Sequence, residues 1–317
     1  MGSPAGESVM NSLEQEHYSK QEVLEEIARF AKNRWVGVHC IEKDDKGNRI
    51  MVRYIDKRPI VIDSPRDLLL VMQRLGKRGL RSVYATAAVY SELRSIDDVK
   101  SLSNMILYTP TWDIDNDFKN WRSTVRACVE IIEALKEEGV EKSVFVKWSG
   151  NGAHVHLHER SIGEGVLKGR TPLDVAYAIV EYVRMKVEPR IQEIAMIDEC
   201  NIKVENKIDR QRMFTCPLSL HRDHDRVCVC IRPSRLHHFD PSWINPRSYV
   251  HDRDWALYEK GEADQLAERA ISVVGGFPLR RTRRRKYPRL DEAVAKWLSV
   301  LSSGGDEYKD HGLRNAR

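Results

Sequence analysis

No apolar run in this chain approaches the roughly 20 residues that cross a bilayer, and Met1 to Glu16 lacks the basic start and apolar middle of a secretory signal. These absences argue against any membrane association. An intracellular protein is expected, in the cytoplasm or nucleoid, or in the nucleus of a eukaryote. Cysteine is sparse and unordered: its six positions, 40, 128, 200, 216, 228 and 230, make no CxxC pair and no regular framework. Reduced structural thiols are therefore expected, and the spacing of Cys228-Val229-Cys230 is unlike that of structural zinc ligands. Internal repeats and extended low-complexity segments are also missing, which sets aside solenoids and mostly disordered chains.

What is present suits a folded enzyme-sized protein. With 317 residues, 41% of them hydrophobic, the chain can bury one large core or two modest ones. The net charge of +5 is mild but unevenly placed, because Leu279 to Arg289 reads LRRTRRRKYPR, with seven of eleven residues Arg or Lys. That run is either a phosphate contact or a solvated tail.

Periodicity divides the chain into a flexible lead over 1–18, a folded domain over 19–275 and a basic segment over 276–317. Ser19 and Glu22 have the spacing of a capping box ahead of a helix near Lys20. Arg34 to His39 and Arg49 to Tyr54 are β-prone and flank a turn-like Lys43 to Asn48, the pattern of a hairpin. A helix is expected from Ser64-Pro65 to about Leu75, then a strand over Ser82 to Val89. Met105 to Ile114 reads as one apolar strand. Trp121 to Glu138 reads as a helix with Val125, Cys128, Ile132 and Leu135 inward. Two strands follow, Ser143 to Trp148 and Ala153 to His158, completing a βαββ unit. Thr171-Pro172-Leu173-Asp174 opens a helix predicted to end near Lys186, ahead of Pro189. The fold class is α/β (α+β), an RRM-like βαββ unit with a mixed sheet flanked by helices. Asp291 to Leu301 is amphipathic enough to pack on a partner or on its own domain.

Three constellations carry chemistry. The first is Trp112-Asp113-Ile114-Asp115, where residues two apart on a strand share a face, so Asp113 and Asp115 present their carboxylates together. Such a pair repels itself unless a cation intervenes, and hard oxygen ligands suit Mg²⁺ or Mn²⁺. An exposed acidic turn is the alternative. The second is Lys147 to His158, where Gly150 and Gly152 allow the backbone to approach a phosphate and Ser149 and His154 offer donors to it. The same stretch puts His154, His156 and His158 on one strand face, either as zinc ligands or as a partly buried polar face. The third runs from Met196-Ile197-Asp198-Glu199 to Arg212-Met213-Phe214-Thr215-Cys216-Pro217-Leu218-Ser219-Leu220-His221. There Asp198 offers a third metal-binding carboxylate, and Arg212, Ser219 and His221 offer donors to a triphosphate.

In that order, a DxD on a strand, an SGxxxxH loop and strand, and an acidic residue followed by RxxxxPxSLH resemble the archaeal-eukaryotic primase superfamily, and within it the catalytic small subunit of DNA primase. Asn33-Arg34-Trp35-Val36-Gly37 and the strand Ser82 to Tyr90 extend the resemblance over about residues 20 to 240. It implies a primase-polymerase catalytic domain over 19–275 that makes primers on single-stranded DNA from nucleoside triphosphates. It also implies Asp113, Asp115 and Asp198 as metal ligands, and Ser149, Gly150, His154 and His221 at the triphosphate, joined by Arg34, Arg212 and Ser219. A primase large subunit is the implied partner. Two departures stand out. Only Cys128 lies between the first two motifs, where the family carries a cysteine-bearing zinc knob. The stretch from Asp198 to Arg212 is slightly long, which leaves Glu199, Glu205 and Asp209 as rival third carboxylates. Other readings remain: a repair or translesion polymerase of the same superfamily, a non-catalytic nucleic-acid binding subunit, and a histidine-zinc hydrolase.

Overall fold

A computed structural model describes residues 12–278. The basic run from Leu279 and the amphipathic stretch Asp291 to Leu301 lie outside the described residues. Folded structure begins earlier than the sequence suggests, because α1 (Leu13–Tyr18) lies within the stretch read as a lead. Ser12 and Gln15 cap it reciprocally, and Tyr18 is buried, its hydroxyl donating to the Arg81 carbonyl. The next helix, α2 (Gln21–Ala31), is where periodicity places it, but its N-cap is Lys20 with no side-chain cap, so the Ser19 box is not formed.

β1 (Val36–Lys43) and β2 (Arg49–Val52) form the expected hairpin. Asp44 closes its turn by accepting the amides of Lys46 and Asn48, and Gly47 takes the positive φ of 80° that the reversal needs. β3 (Tyr54–Ile55) and β4 (Arg58–Pro59) make a minor hairpin before α3 (Pro65–Leu75), which starts at the predicted Ser64-Pro65, where Ser64 and Asp67 form a capping box. β5 (Leu80–Thr86) then pairs with β1.

The apolar run from Met105 breaks into two strands because Pro110 has no amide to donate. β6 (Ala88–Tyr90) pairs with β7 (Met105–Tyr108), after the short α4 (Ile96–Lys100), while β8 (Thr111–Asp115) joins a different sheet. The βαββ unit then appears as read: α5 (Trp121–Glu137), β9 (Val144–Trp148) and β10 (Ala153–Leu157). After α6 (Glu164–Leu167), α7 (Pro172–Ile197) passes through Pro189 instead of stopping before it. Met185 and Pro189 are both exposed, so the carbonyl that the proline leaves without an amide faces water, and buried Ile191 and Ile194 carry the helix onward. β11 (Lys203–Glu205), β12 (Met213–Thr215), β13 (Val229–Ile231) and α8 (Asp264–Val274) complete the set.

The strands make a four-stranded sheet in the order β12-β5-β1-β2 and a five-stranded sheet in the order β11-β8-β10-β9-β13. Every pairing in both is antiparallel, where a mixed sheet was expected. The reason is that β10 inserts between β8 and β9, the two strands a crossover helix would otherwise leave as parallel neighbours. Along β8 the alternation is plain: Trp112 and Ile114 are fully buried under α5 and α7, and Asp113 and Asp115 point the other way. Trp112 also donates its indole N–H to the Val180 carbonyl at 3.0 Å. A one-residue slip would bury both carboxylates and expose both apolar side chains, so the core fixes the register of the site.

Candidate active site

Register brings the acidic residues together. Asp113 sits directly across from His154 on β10 and from Glu205 on β11, and Asp115 sits across from Lys203. Like charges about 4 Å apart cost roughly 4 kcal/mol at an effective dielectric near 20, so such a cluster needs a cation. The structure supplies one that sequence reasoning missed. The Lys207 ammonium lies 3.0 Å from Asp113 Oδ2 and 2.9 Å from Glu205 Oε2, and also pairs with Asp115. His154 Nε2 stands 3.1 Å from the other Asp113 oxygen.

The charge states follow. Burial alone would raise the Asp113 carboxyl, but His154 and Lys207 outweigh it and hold the group well below the ordinary carboxylate range. The Lys207 hydrogen bond holds Glu205 down in the same way, against its partial burial. Lys207 loses water on one side, and the surrounding carboxylates still push its ammonium above the usual lysine value.

The first sheet forms the opposite wall of an open cleft of about 510 Å³, contributing Tyr84, Met213, Phe214 and Thr215. Asp113, Asp115, Ser149, His154, Lys207, Arg212, His221 and Arg222 line the remainder. The loop between β9 and β10 reaches it because two glycines allow close contact. A Cβ on Gly152 would stand 2.1 Å from the Ile114 carbonyl oxygen, and one on Gly150 would stand 2.7 Å from His221 Cδ2. The Gly150 carbonyl accepts from the Trp148 indole at 3.1 Å and from Arg226 at 3.3 Å, which pins the loop. His221 Nδ1 accepts the amides of Asp223 and His224, both at 3.1 Å, so its Nε2 carries the proton and is a donor. Burial, with His224 beside it, lowers this imidazole to about 4, so it donates as a neutral ring near pH 7.

Several residues named from sequence lie elsewhere. Asp198 caps the end of α7, pairs with Arg126 at 2.8 Å and is not among the cleft-lining residues. The strand that follows it brings Glu205, which does not itself line the cleft, within 2.9 Å of the Lys207 ammonium. Arg34 is buried and is not among the cleft-lining residues: Nη1 donates to the Thr86 and Ala87 carbonyls, and Nη2 donates to Thr109 and pairs with Glu159 at 2.9 Å. Ser219 is likewise buried, donating or accepting among Val83, Tyr18 and Ser82. Arg212 does line the cleft, with Nε donating to the Lys207 carbonyl at 2.6 Å. His154 lines it too, but its Nε2 is committed to Asp113 and its buried Nδ1 has no partner. The three histidines do not converge: His156 is buried, stacked on Phe145 and bonded to Thr111, while His158 lies beyond β10 against Tyr258. The signal that could have found Lys207 is its place two residues after Glu205, at strand spacing.

Among the described residues, no three His, Cys, Asp or Glu side chains stand as a ready-made metal cage. Three carboxylates do close on one cationic atom, however, and hard oxygens around a positive centre are the donor set that Mg²⁺ or Mn²⁺ takes. The residues present therefore fit such an ion.

Among the described residues, no helix is long and apolar enough to cross a membrane. No family model matches the chain, and no curated protein does. Among solved structures, the chain is similar to the polymerase domain from Mycobacterium tuberculosis Ligase D in complex with DNA, at 13% identity over 82% of this chain and 88% of that one, with a TM-score of 0.48.

Proposed function

We propose that this chain is a DNA-templated nucleotidyltransferase that joins nucleotides from nucleoside triphosphates, and that its task is primer synthesis. The observation that carries the reading is the convergence of Asp113, Asp115 and Glu205 on the Lys207 ammonium, with Asp113, Asp115 and Lys207 lining the same cleft as Ser149, Arg212 and His221. Asp113, Asp115 and Glu205 would hold Mg²⁺ or Mn²⁺, which when bound assists a 3′-hydroxyl and neutralises triphosphate charge. Glu205 takes the place that the sequence assigned to Asp198. His154 fixes the orientation of Asp113, while Ser149, Arg212 and the Nε2–H of His221 supply donors for the phosphates, so that positioning and charge complementarity perform most of the catalysis.

A repair or end-extending polymerase would use the same groups. Primer-free synthesis separates the two: the chain is incubated with single-stranded DNA, Mg²⁺ or Mn²⁺, and labelled ribo- or deoxynucleotides. New strands made without a primer support the primase reading, extension of existing ends alone moves the assignment to repair, and no incorporation in either format overturns nucleotidyl transfer. A primase large subunit belongs to the first outcome, and co-purification of a second chain that stimulates priming is its test.

A further inference from the structure

Lys207 stands where the three carboxylates of the site meet. Its backbone is fixed, because Arg212 Nε donates to its carbonyl at 2.6 Å. Its side chain is about one-quarter exposed, so the ammonium can move on its four-carbon stem without disturbing the strand. Three carboxylates against one ammonium leave the cluster with an excess of negative charge that a divalent ion can offset. The oxygens that Lys207 occupies are also those that would hold such an ion. When they are engaged, the ammonium loses its partners and faces a strong positive field, with the phosphate-binding donors Ser149, Arg212 and His221 lining the same cleft.

We propose that Lys207 is an internal counter-cation. It holds Asp113, Asp115 and Glu205 together before metal is bound, competes with divalent ions for their oxygens, and passes to the triphosphate of the incoming nucleotide once those oxygens are engaged. This rests on the metal-site reading above and adds a consequence: metal and nucleotide bind cooperatively, because each creates the vacancy or the partner that the other needs. A site of this kind stays folded but weakly loaded until its substrate arrives.

The test is calorimetric titration of the intact chain with MnCl₂ alone, and again with a non-hydrolysable deoxynucleoside triphosphate present, alongside melting curves. Lys207→Met is expected to bind Mn²⁺ about tenfold more tightly than wild type without nucleotide, and to lose most of the nucleotide-dependent gain. Its metal-free melting temperature should fall, and Mn²⁺ should restore it. Lys207→Arg keeps the charge and should keep weak, nucleotide-dependent Mn²⁺ binding, and it serves as the working variant should Lys207→Met not fold. Equal Mn²⁺ affinity in wild type and Lys207→Met, or Lys207→Arg binding as tightly as Lys207→Met, overturns the counter-cation role while leaving the metal site in place. Absence of Mn²⁺ binding in every variant, with nucleotide present, overturns the metal site and the counter-cation role together.

Discussion

The cleft and the interior each hold a carboxylate pressed against a cation, and the two networks are built to opposite ends. In the interior, Glu159 accepts from Arg34 and from Thr109, and Arg34 also donates to the Thr86 and Ala87 carbonyls and to Thr109. Charge is balanced one for one and both terminal nitrogens of Arg34 are fully engaged, so the network specifies a fold. In the cleft, three carboxylates share one ammonium, His154 Nδ1 is left without a partner, and one side is open. Perturbed ionisation marks both places. Imbalance and access mark only the one where chemistry can occur.

Breaking each network should therefore give opposite results. Asp113→Ala is expected to cut nucleotide incorporation to about one-thousandth or less while far-UV circular dichroism stays native; activity near wild type would remove the assignment. Arg34→Ala should instead leave a buried carboxylate unpaired and lower the unfolding free energy by about 3 to 5 kcal/mol, read by denaturant titration. If it reduced nucleotide affinity with stability intact, the division drawn here would be wrong. A closer contrast sharpens the same point. Glu205→Gln should lower incorporation by about a hundredfold. Asp198→Ala removes only a partly exposed pair with Arg126, should cost at most about 1 kcal/mol of stability, and should leave incorporation near wild type. Equal losses from both would return Asp198 to the site.

That contrast also shows what sequence could and could not reveal. The carboxylate pair on β8 was legible because strand alternation with Trp112 and Ile114 settles its face locally. The Ser149 to His154 loop was legible because its glycines and donors are contiguous. Glu205 was legible only as one of three rivals to Asp198, and Lys207 not at all, since their role depends on β11 pairing with β8 in one register, a contact across some ninety positions that no local pattern encodes. Arg34 and Ser219 were misplaced for the converse reason: motif spacing says which residues are near a site, and only burial says whether their donors are already taken. The order of the longer helices and strands from α2 to α7 was readable from periodicity. The passage of α7 through Pro189 was not, because it turns on which side of the helix faces water.

The smallest expected effect compares by pH one group of each network. His221 lies at about 4 in the folded chain, against 6.5 for the free imidazole, because burial and His224 oppose its charge. An unfolded chain takes up this proton first, so stability is full above 6.5 and declines as pH falls from 6.5 to about 4, then changes no further on its account. Glu159 acts lower: burial raises its carboxyl, but Arg34 more than compensates and brings it to about 2, so its contribution is present above 4.5 and lost as pH falls towards about 2. Melting temperatures between pH 7 and pH 3 should therefore fall in two steps. His221→Gln should remove part of the upper step without touching the lower, and an unchanged upper slope would mean that the cleft imidazole is not the group that resists the proton.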